Sequence, residues 1–390
     1  MRIYLHALGI INALGRGSAV RGGLYSGSLS GIAPRNDLIH GRILQVAEVR
    51  NELPSIPPKF SKYDCRTNRL LQAAVDQVRT EIDTVIDRFG PARIGIVLGT
   101  STAGILEGEK AVQILKQTGE FPSDYDYHKQ EISSPSEYLQ QALGTRGPAW
   151  TVSTACTSSA KAFASARRLL CFNICDAVIV GGADSLCRLT ANGFMALESI
   201  AKNICNPFSR NRDGITLGEG AAVFILLREA GPVCLLGVGE SSDAYHISGP
   251  DPHGRGAEIA MREALADASL MPNNVDYLNL HGTGTIQNDF MESHAVQRVF
   301  GVETPSSSTK PMVGHMLGAA GITEAAFCWL LLTDTTVSAH LPPHLWDGER
   351  DLTLAPLYLC QRDHISHSCH VTASNSFAFG GSNTTLIFGT

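Results

Sequence analysis

No apolar stretch in these 390 residues approaches the roughly 20 residues needed to cross a bilayer; Ala177–Ala183 and Phe327–Leu332 fall well short. A membrane span is therefore not expected. No long basic run is present either. Lys and Arg are scattered and the formal charge is −6, which leaves nucleic-acid binding without electrostatic support. An acidic partner would have to dock on a local basic patch. The ten cysteines contain no CxxC pair and no repeated spacing, so no disulfide framework is indicated. Residues 1–15 lack a clear small-residue cleavage site, and read as a first buried strand, Ile3–Leu8, followed by a Gly-rich turn. No GxGxxG follows a strand and no metal-ligand spacing occurs, which gives nucleotide and metal readings little support. These absences point to a reduced, cytoplasmic protein with no metal and no cofactor of its own.

What is present is a chain 44% hydrophobic with 38 glycines, longer than one hydrophobic core usually supports, so two core-forming halves are expected. Branched apolar runs bounded by Gly read as buried strands at Ile94–Leu98, Ala177–Val180, Val223–Leu227, Val233–Val238, Tyr277–Leu280, His370–Ser374 and Thr384–Phe388. Helical patterns lie between them at Leu70–Phe89, Ser158–Leu170, Glu258–Leu270, Phe290–Phe300 and Ala319–Leu332. The alternation predicts an α/β architecture with largely buried sheets. A faint internal echo suggests duplication. Thr151–Leu170 runs strand, Ser/Thr-rich turn, small-residue helix, and Pro305–Leu332 repeats that order, which puts a junction near Ala230–Pro232. Segments Gly22–Pro58 and Thr118–Pro135 have little periodicity and read as surface excursions.

Three places carry chemistry. Val152-Ser153-Thr154-Ala155-Cys156-Thr157-Ser158-Ser159-Ala160 is a strand turning sharply into a helix, with small neighbours that present Cys156 at the apex. The helix N-terminus should favour its thiolate. A free Cys is more often a packing residue, and Cys171, Cys175, Cys187, Cys205 and Cys328 are assigned to that role. His281, in Leu280-His281-Gly282-Thr283-Gly284-Thr285, and His315, in Lys310-Pro311-Met312-Val313-Gly314-His315, each stand at a strand end among Gly and Thr. Most of the thirteen histidines should be surface or satisfied core residues, but in open α/β sheets such strand ends are where ligands bind. Asp289 reads as a structural partner. The third place, Asn375-Ser376-Phe377-Ala378-Phe379-Gly380-Gly381-Ser382-Asn383, is either a plain hairpin bend or a source of backbone N–H groups for an oxyanion.

Taken together with Gly181-Gly182-Ala183-Asp184, Pro207-Phe208-Ser209-Arg210-Asn211-Arg212-Asp213-Gly214 and Ser241-Ser242-Asp243-Ala244-Tyr245-His246, these residues resemble the elongating β-ketoacyl-acyl-carrier-protein synthases. The resemblance runs from about Ile94 to the C-terminus, with only Leu8–Gly15 and Tyr63–Arg66 familial before it. It implies a duplicated thiolase-like fold, two βαβαβαββ-type halves in α-β-α-β-α layers, with residues 1–230 carrying the nucleophile and 231–390 the two histidines. It implies that Cys156 accepts an acyl chain from carrier-bound phosphopantetheine, and that the N–H groups of Cys156 and Phe379 form an oxyanion hole. His281 and His315 would stabilise the enolate left when malonyl thioester loses CO2, with Lys310 and Glu324 supporting them. Thr283, Thr285 and Ser248 would contact pantetheine or malonyl, and Phe379 would gate the acyl pocket.

The implied partners are an acyl carrier protein and a second subunit, in a homodimer or in a heterodimer with a chain-length-factor-like homologue, through the strand edge Thr151–Thr154. Rivals differ in identifiable residues. A degradative thiolase carries a second Cys in the C-terminal Gly-rich loop, which here has none, and initiating synthases have Asn where His315 stands. The second reading is a non-catalytic chain-length-factor-like subunit, which typically lacks the nucleophile that is intact here as Cys156. The short, divergent first ninety or so residues resemble ketosynthases of specialised polyene pathways, aryl polyenes among them, more than the housekeeping fatty-acid enzyme.

Overall fold

Strands buried on both faces favour apolar side chains along their whole length, which is why several read as near-continuous apolar runs. Ile94–Gly99, Ala177–Asp184 and Gly220–Leu227 are buried at every position. The structure, a computed structural model, describes residues 2–334, 339–362, 365–366 and 369–390. The expected strands are all present and mostly longer, among them Ile3–Asn12, Val233–Ser242, Val371–Ala378 and Ser382–Gly389.

The duplication lies in the pairing. In the first half the order is Ala149–Val152, Ile94–Gly99, Ala177–Asp184, Gly220–Leu227, Ile3–Asn12, with two parallel pairings followed by two antiparallel ones. In the second half Pro305–Ser307, Tyr277–Asn279, Val371–Ala378, Ser382–Gly389 and Val233–Ser242 repeat that succession. The two sheets meet where Ile3–Leu5 pairs with Val233–Leu235. Between them lie the helices Ser158–Cys171 and Ala320–Leu332, the second buried at every position but Trp329. Phe163, on the first of these helices, touches a strand from each half: its ring is 5.9 Å from Phe224 and 5.7 Å from Phe388. Helix Arg66–Val75 covers the outer face of the first sheet through Leu70, Leu71 and Ala74, and Arg255–Ala268 covers the second through Met261, Ala264 and Leu265. The layers are therefore α-β-α-β-α, as expected.

Four expectations need correction. The helix expected over Leu70–Phe89 is two, Arg66–Val75 and Arg79–Phe89. The break falls at Gln77, whose amide donates to Ile10 O (3.0 Å) and Ala73 O (2.8 Å) and so ties the chain to the first strand instead of continuing the helix. Residues 22–58 are more than a surface excursion. Ile32–Arg35 and Leu44–Ala47 form a hairpin that pairs with Leu217–Gly218, and Leu38, Leu44, Val46 and Leu217 share a small core with Leu317. The segment lacks periodicity because its elements are only a few residues long. The edge strand is Ala149–Val152 rather than Thr151–Thr154; Thr154 forms only an isolated bridge with Cys156. Cys171, assigned to packing, is exposed at its helix end. All ten cysteines are free, and among the described residues no helix is long and apolar enough to cross a membrane.

Candidate active site

The turn that presents Cys156 is strained and held by hydroxyls. Ala155 has φ 51°, a left-handed conformation uncommon for a residue with a Cβ. Ser158 Oγ donates to Ala155 O (2.5 Å) and accepts from Thr154 N–H (2.9 Å), while Thr157 Oγ1 donates to Thr154 O (2.8 Å). The Ser/Thr crowding around the cysteine thus satisfies backbone groups that the sharp turn takes out of the sheet. A Cβ on Gly99 would collide with the backbone of Ser159, so glycine there lets the helix seat against the strand. Ser159 Oγ also accepts from Ile322 N–H (2.8 Å), which fastens the nucleophile helix to the helix that follows His315.

His281 and His315 arrive from the other half. His281 ends the strand Tyr277–Asn279, and Glu292 holds its loop by accepting from His281 N–H and Gly282 N–H, both at 2.7 Å. His315 follows the one-turn helix Lys310–Val313 and is pinned by His315 N–H to Thr216 O (2.6 Å) and Gly218 N–H to His315 O (3.0 Å). The next turn, Leu317–Ala319, is anchored by Asp184, which accepts from Ala319 N–H (3.0 Å). Asp184 accepts as well from Thr100 Oγ1 (2.7 Å), Ser101 N–H (2.9 Å) and Thr102 N–H (2.8 Å). One buried carboxylate therefore locks the loop after Ile94–Gly99 to the loop carrying His315.

These supports bring three reactive atoms together. His315 Nε2 is 3.0 Å from Cys156 Sγ, and Cys156, His281 and His315 each offer an atom within 4.8 Å of the others. The imidazoles stand nearly perpendicular, with centroids 5.4 Å apart. Behind them Lys310 Nζ donates to Glu324 Oε1 (2.6 Å) and to His281 O, and reaches His281 Nδ1 at 3.5 Å. An ammonium only donates, so His281 Nδ1 accepts and its proton sits on Nε2. A cleft of about 350 Å³ opens on Cys156, His281 and His315, and Thr283, Thr285, Ser248 and Phe379 line it. Lys310 and Glu324 sit behind His281 instead. A thiol with two imidazoles could ligate a soft metal, but the Lys310 ammonium beside His281 opposes a second cation.

Burial sets the protonation states. It pushes the Cys156 thiol up to about 12, while Lys310 and the Phe379 backbone N–H pull the other way. This corrects the expectation that the helix N-terminus favours the thiolate: removing the sulfur from water outweighs it. Burial, and then Lys310, lower both histidines well below the usual imidazole range, so both are neutral. Glu324 is raised by burial against the pull of Lys310, and Asp289 is raised by burial too. Asp289 is the structural partner expected, accepting from Phe208 N–H (2.8 Å) and Gly284 N–H (3.2 Å). Asp184 and Glu292 were given no role from the sequence. Their one signal is a carboxylate close in sequence to a glycine-rich loop.

Burial raises Glu292 from the ordinary 4.5 to about 7. The sign follows from linkage: as pH climbs, the unfolded chain releases this proton first, so stability contributed below about 4.5 is lost by about 7. Glu292→Gln is expected to flatten that decline, by up to about 1.4 kcal/mol per pH unit. Thermal unfolding compared at about pH 5 and about pH 7.5 checks it. An unchanged slope in the variant would remove Glu292 from the titration.

Comparison with known proteins agrees with this geometry. Residues 30–231 match the family model described as "Beta-ketoacyl synthase, N-terminal domain", and 233–344 match "Beta-ketoacyl synthase, C-terminal domain". The chain belongs to the beta-ketoacyl synthase family and is a condensing enzyme of the acyltransferase class. It is 30% identical over 411 aligned positions, 99% of this chain and 98% of the relative, to 3-oxoacyl-(acyl-carrier-protein) synthase 2 of Coxiella burnetii. It is 36% identical over 308 residues, 76% of this chain and 75% of the relative, to Nodulation protein E of Rhizobium meliloti. A solved structure, "Ketosynthase (ApeO) in Complex with its Chain Length Factor (ApeC) from Xenorhabdus doucetiae", superposes with TM-score 0.95 at 43% identity, covering 100% of this chain and 98% of that one. The likeness thus begins well before Ile94, where the sequence motifs alone placed its start. Between the strand Ile3–Asn12 and the helix Arg66–Val75 the chain runs through short elements, which leaves little for motif reading to hold.

Proposed function

We propose that Cys156 takes the acyl group and that His281 and His315 act on the malonyl unit. The carrying observation is that Cys156 Sγ, 3.0 Å from His315 Nε2, shares a cleft with His281. In the first half-reaction the Cys156 sulfur attacks the acyl thioester carbonyl. Its C–S bond to the carrier breaks, and the thiol proton leaves with the pantetheine sulfur, while the N–H groups of Cys156 and Phe379 hold the oxyanion. In the second, the malonyl C–CO2 bond breaks, and the electron pair moves to an enolate oxygen met by the two histidines. The enolate carbon then attacks the acyl-cysteine, the C–S bond breaks, and the released Cys156 thiolate takes up a proton from solvent.

The tautomers support this division. Lys310 fixes the proton of His281 on Nε2, ready to donate. His315 Nδ1 has no hydrogen-bond partner among the described residues, so nothing locks its tautomer. It can accept from the thiol first and donate after acylation. Lys310 and Glu324 position His281; Thr283, Thr285 and Ser248 contact the pantetheine arm; no cofactor beyond carrier-bound phosphopantetheine is required. Incubation with acyl carrier protein followed by intact mass measurement tests the reading. One acyl adduct per chain is expected, whereas a chain with no adduct would be the non-catalytic subunit.

Phe379 gates the acyl pocket in this proposal. Its ring is half-exposed against Phe194, and Gly380 and Gly381, with φ 81° and 75°, supply a backbone that few other residues adopt. Acylated and empty crystals should differ at Phe379; one position in both would count against a gate.

The working unit proposed is a cytoplasmic dimer, divided within each chain into 1–230 and 231–390. Strand Ala149–Val152 ends its sheet with one side unpaired among the described residues, an edge that a second subunit would cover. The Xenorhabdus ketosynthase is described in complex with a chain length factor, which favours a heterodimer here; the polyene-type or polyketide-type pathway rests on the sequence resemblance alone. Expressed alone, the chain is expected to be poorly active and to gain activity with such a partner. A fully active homodimer by solution mass would refute an obligatory partner.

A further inference from the structure

His344 lies outside the cleft, buried behind the loop that leads to Lys310. Its ring makes two bonds that between them admit one protonation state. Nδ1 is 3.1 Å from Ser308 N–H, a group that only donates, so Nδ1 accepts. Nε2 is 3.0 Å from Pro207 O, a group that only accepts, so Nε2 donates. Burial, which lowers the His344 imidazole to about 4, keeps it in that neutral form.

Ser308 is the hub that this ring holds. Its Oγ donates to Gly282 O at 2.6 Å, directly beside His281, and lies 3.4 Å from Lys310 N–H. Lys310 in turn reaches His281. On its other side His344 holds Pro207, whose neighbour Phe208 adopts φ 62° and sets its ring tilted against the imidazole, with centroids 5.9 Å apart. Resting on the roles proposed above for His281 and Lys310, we infer that His344 is a positioning residue: by accepting from Ser308 N–H it sets the Ser308–Gly282 contact that aims His281 at the malonyl unit.

The two ring nitrogens can be tested separately. Asn carries a side-chain oxygen near the place of Nδ1, and Gln carries a side-chain NH2 near that of Nε2. His344→Asn should keep the acceptor for Ser308, whereas His344→Gln should keep only the donor to Pro207 and leave a buried N–H orphaned. The assay follows CO2 release from malonyl carrier protein and acylation of Cys156 as separate steps, normalised to folded protein, with His281→Ala alongside. His344→Gln is expected to acylate normally and to decarboxylate roughly 10- to 100-fold more slowly. His344→Asn should stay within about threefold of the unaltered enzyme, since its acceptor is retained. Equal decarboxylation by the Asn and Gln variants, or parallel loss of both steps, would overturn the inference while leaving the roles of Cys156 and His281 standing. If His281→Ala decarboxylates normally, the proposed role of His281 fails, and that of His344 fails with it.

Discussion

Cys156→Ala should take up no acyl group from acyl carrier protein and should make no condensation product. The change removes one sulfur from a buried site and leaves the elbow in place, because Ser158 and Thr157, not the cysteine, satisfy its backbone. Circular dichroism and thermal unfolding should therefore stay close to those of the unaltered protein, which separates lost chemistry from lost fold. The nine other cysteines supply an internal control, since Cys171 is exposed and free yet has no place in the Cys156–His281–His315 cluster. Acyl transfer that persists in the Ala variant would move the acceptor elsewhere.

His281→Ala and His315→Ala are expected to acylate yet fail to condense. Losing one positioned donor to a developing oxyanion costs on the order of 10²–10³ in rate. The two variants should not be identical. His315 touches the sulfur, so its loss should also slow acylation, while His281 is reached by Lys310 and faces only the second step. His281→Ala also strands Lys310 and Glu324 behind an empty space, and the buried pair, still complete, should preserve the fold. Quenched-flow measurement of each half-reaction checks both expectations. A variant that condenses at the normal rate would take that histidine out of the mechanism.

The site was legible in the sequence where chemistry and backbone demands coincide. Cys156 stands out because a strand-to-helix elbow needs small neighbours, and both histidines because they stand among glycines, although only His281 comes directly after a strand; His315, expected at a strand end, instead follows the helix Lys310–Val313. The supports were not legible. Asp184, Glu292 and His344 act through backbone N–H groups that are distant in sequence or held across loops, and no residue spacing encodes such a partner. The protonation of Cys156 was misjudged for a related reason: helix position is local and readable, whereas burial by two sheets is not. The fold shows the same divide. Long apolar strands and the echo between halves were visible, while the short hairpin Ile32–Arg35/Leu44–Ala47 owes its place to pairing with Leu217–Gly218.

The most direct test of the account is a single-turnover chase. Enzyme acylated on Cys156, paired with its partner subunit if one is required, is mixed with malonyl carrier protein labelled in the free carboxyl. Adduct mass, labelled CO2 and β-ketoacyl product are followed together. The account predicts that all three change at one rate and in equal amounts, with one CO2 released and one elongated product formed for each acyl group leaving Cys156. Product formed without CO2, or elongation while the acyl group remains on Cys156, would contradict it.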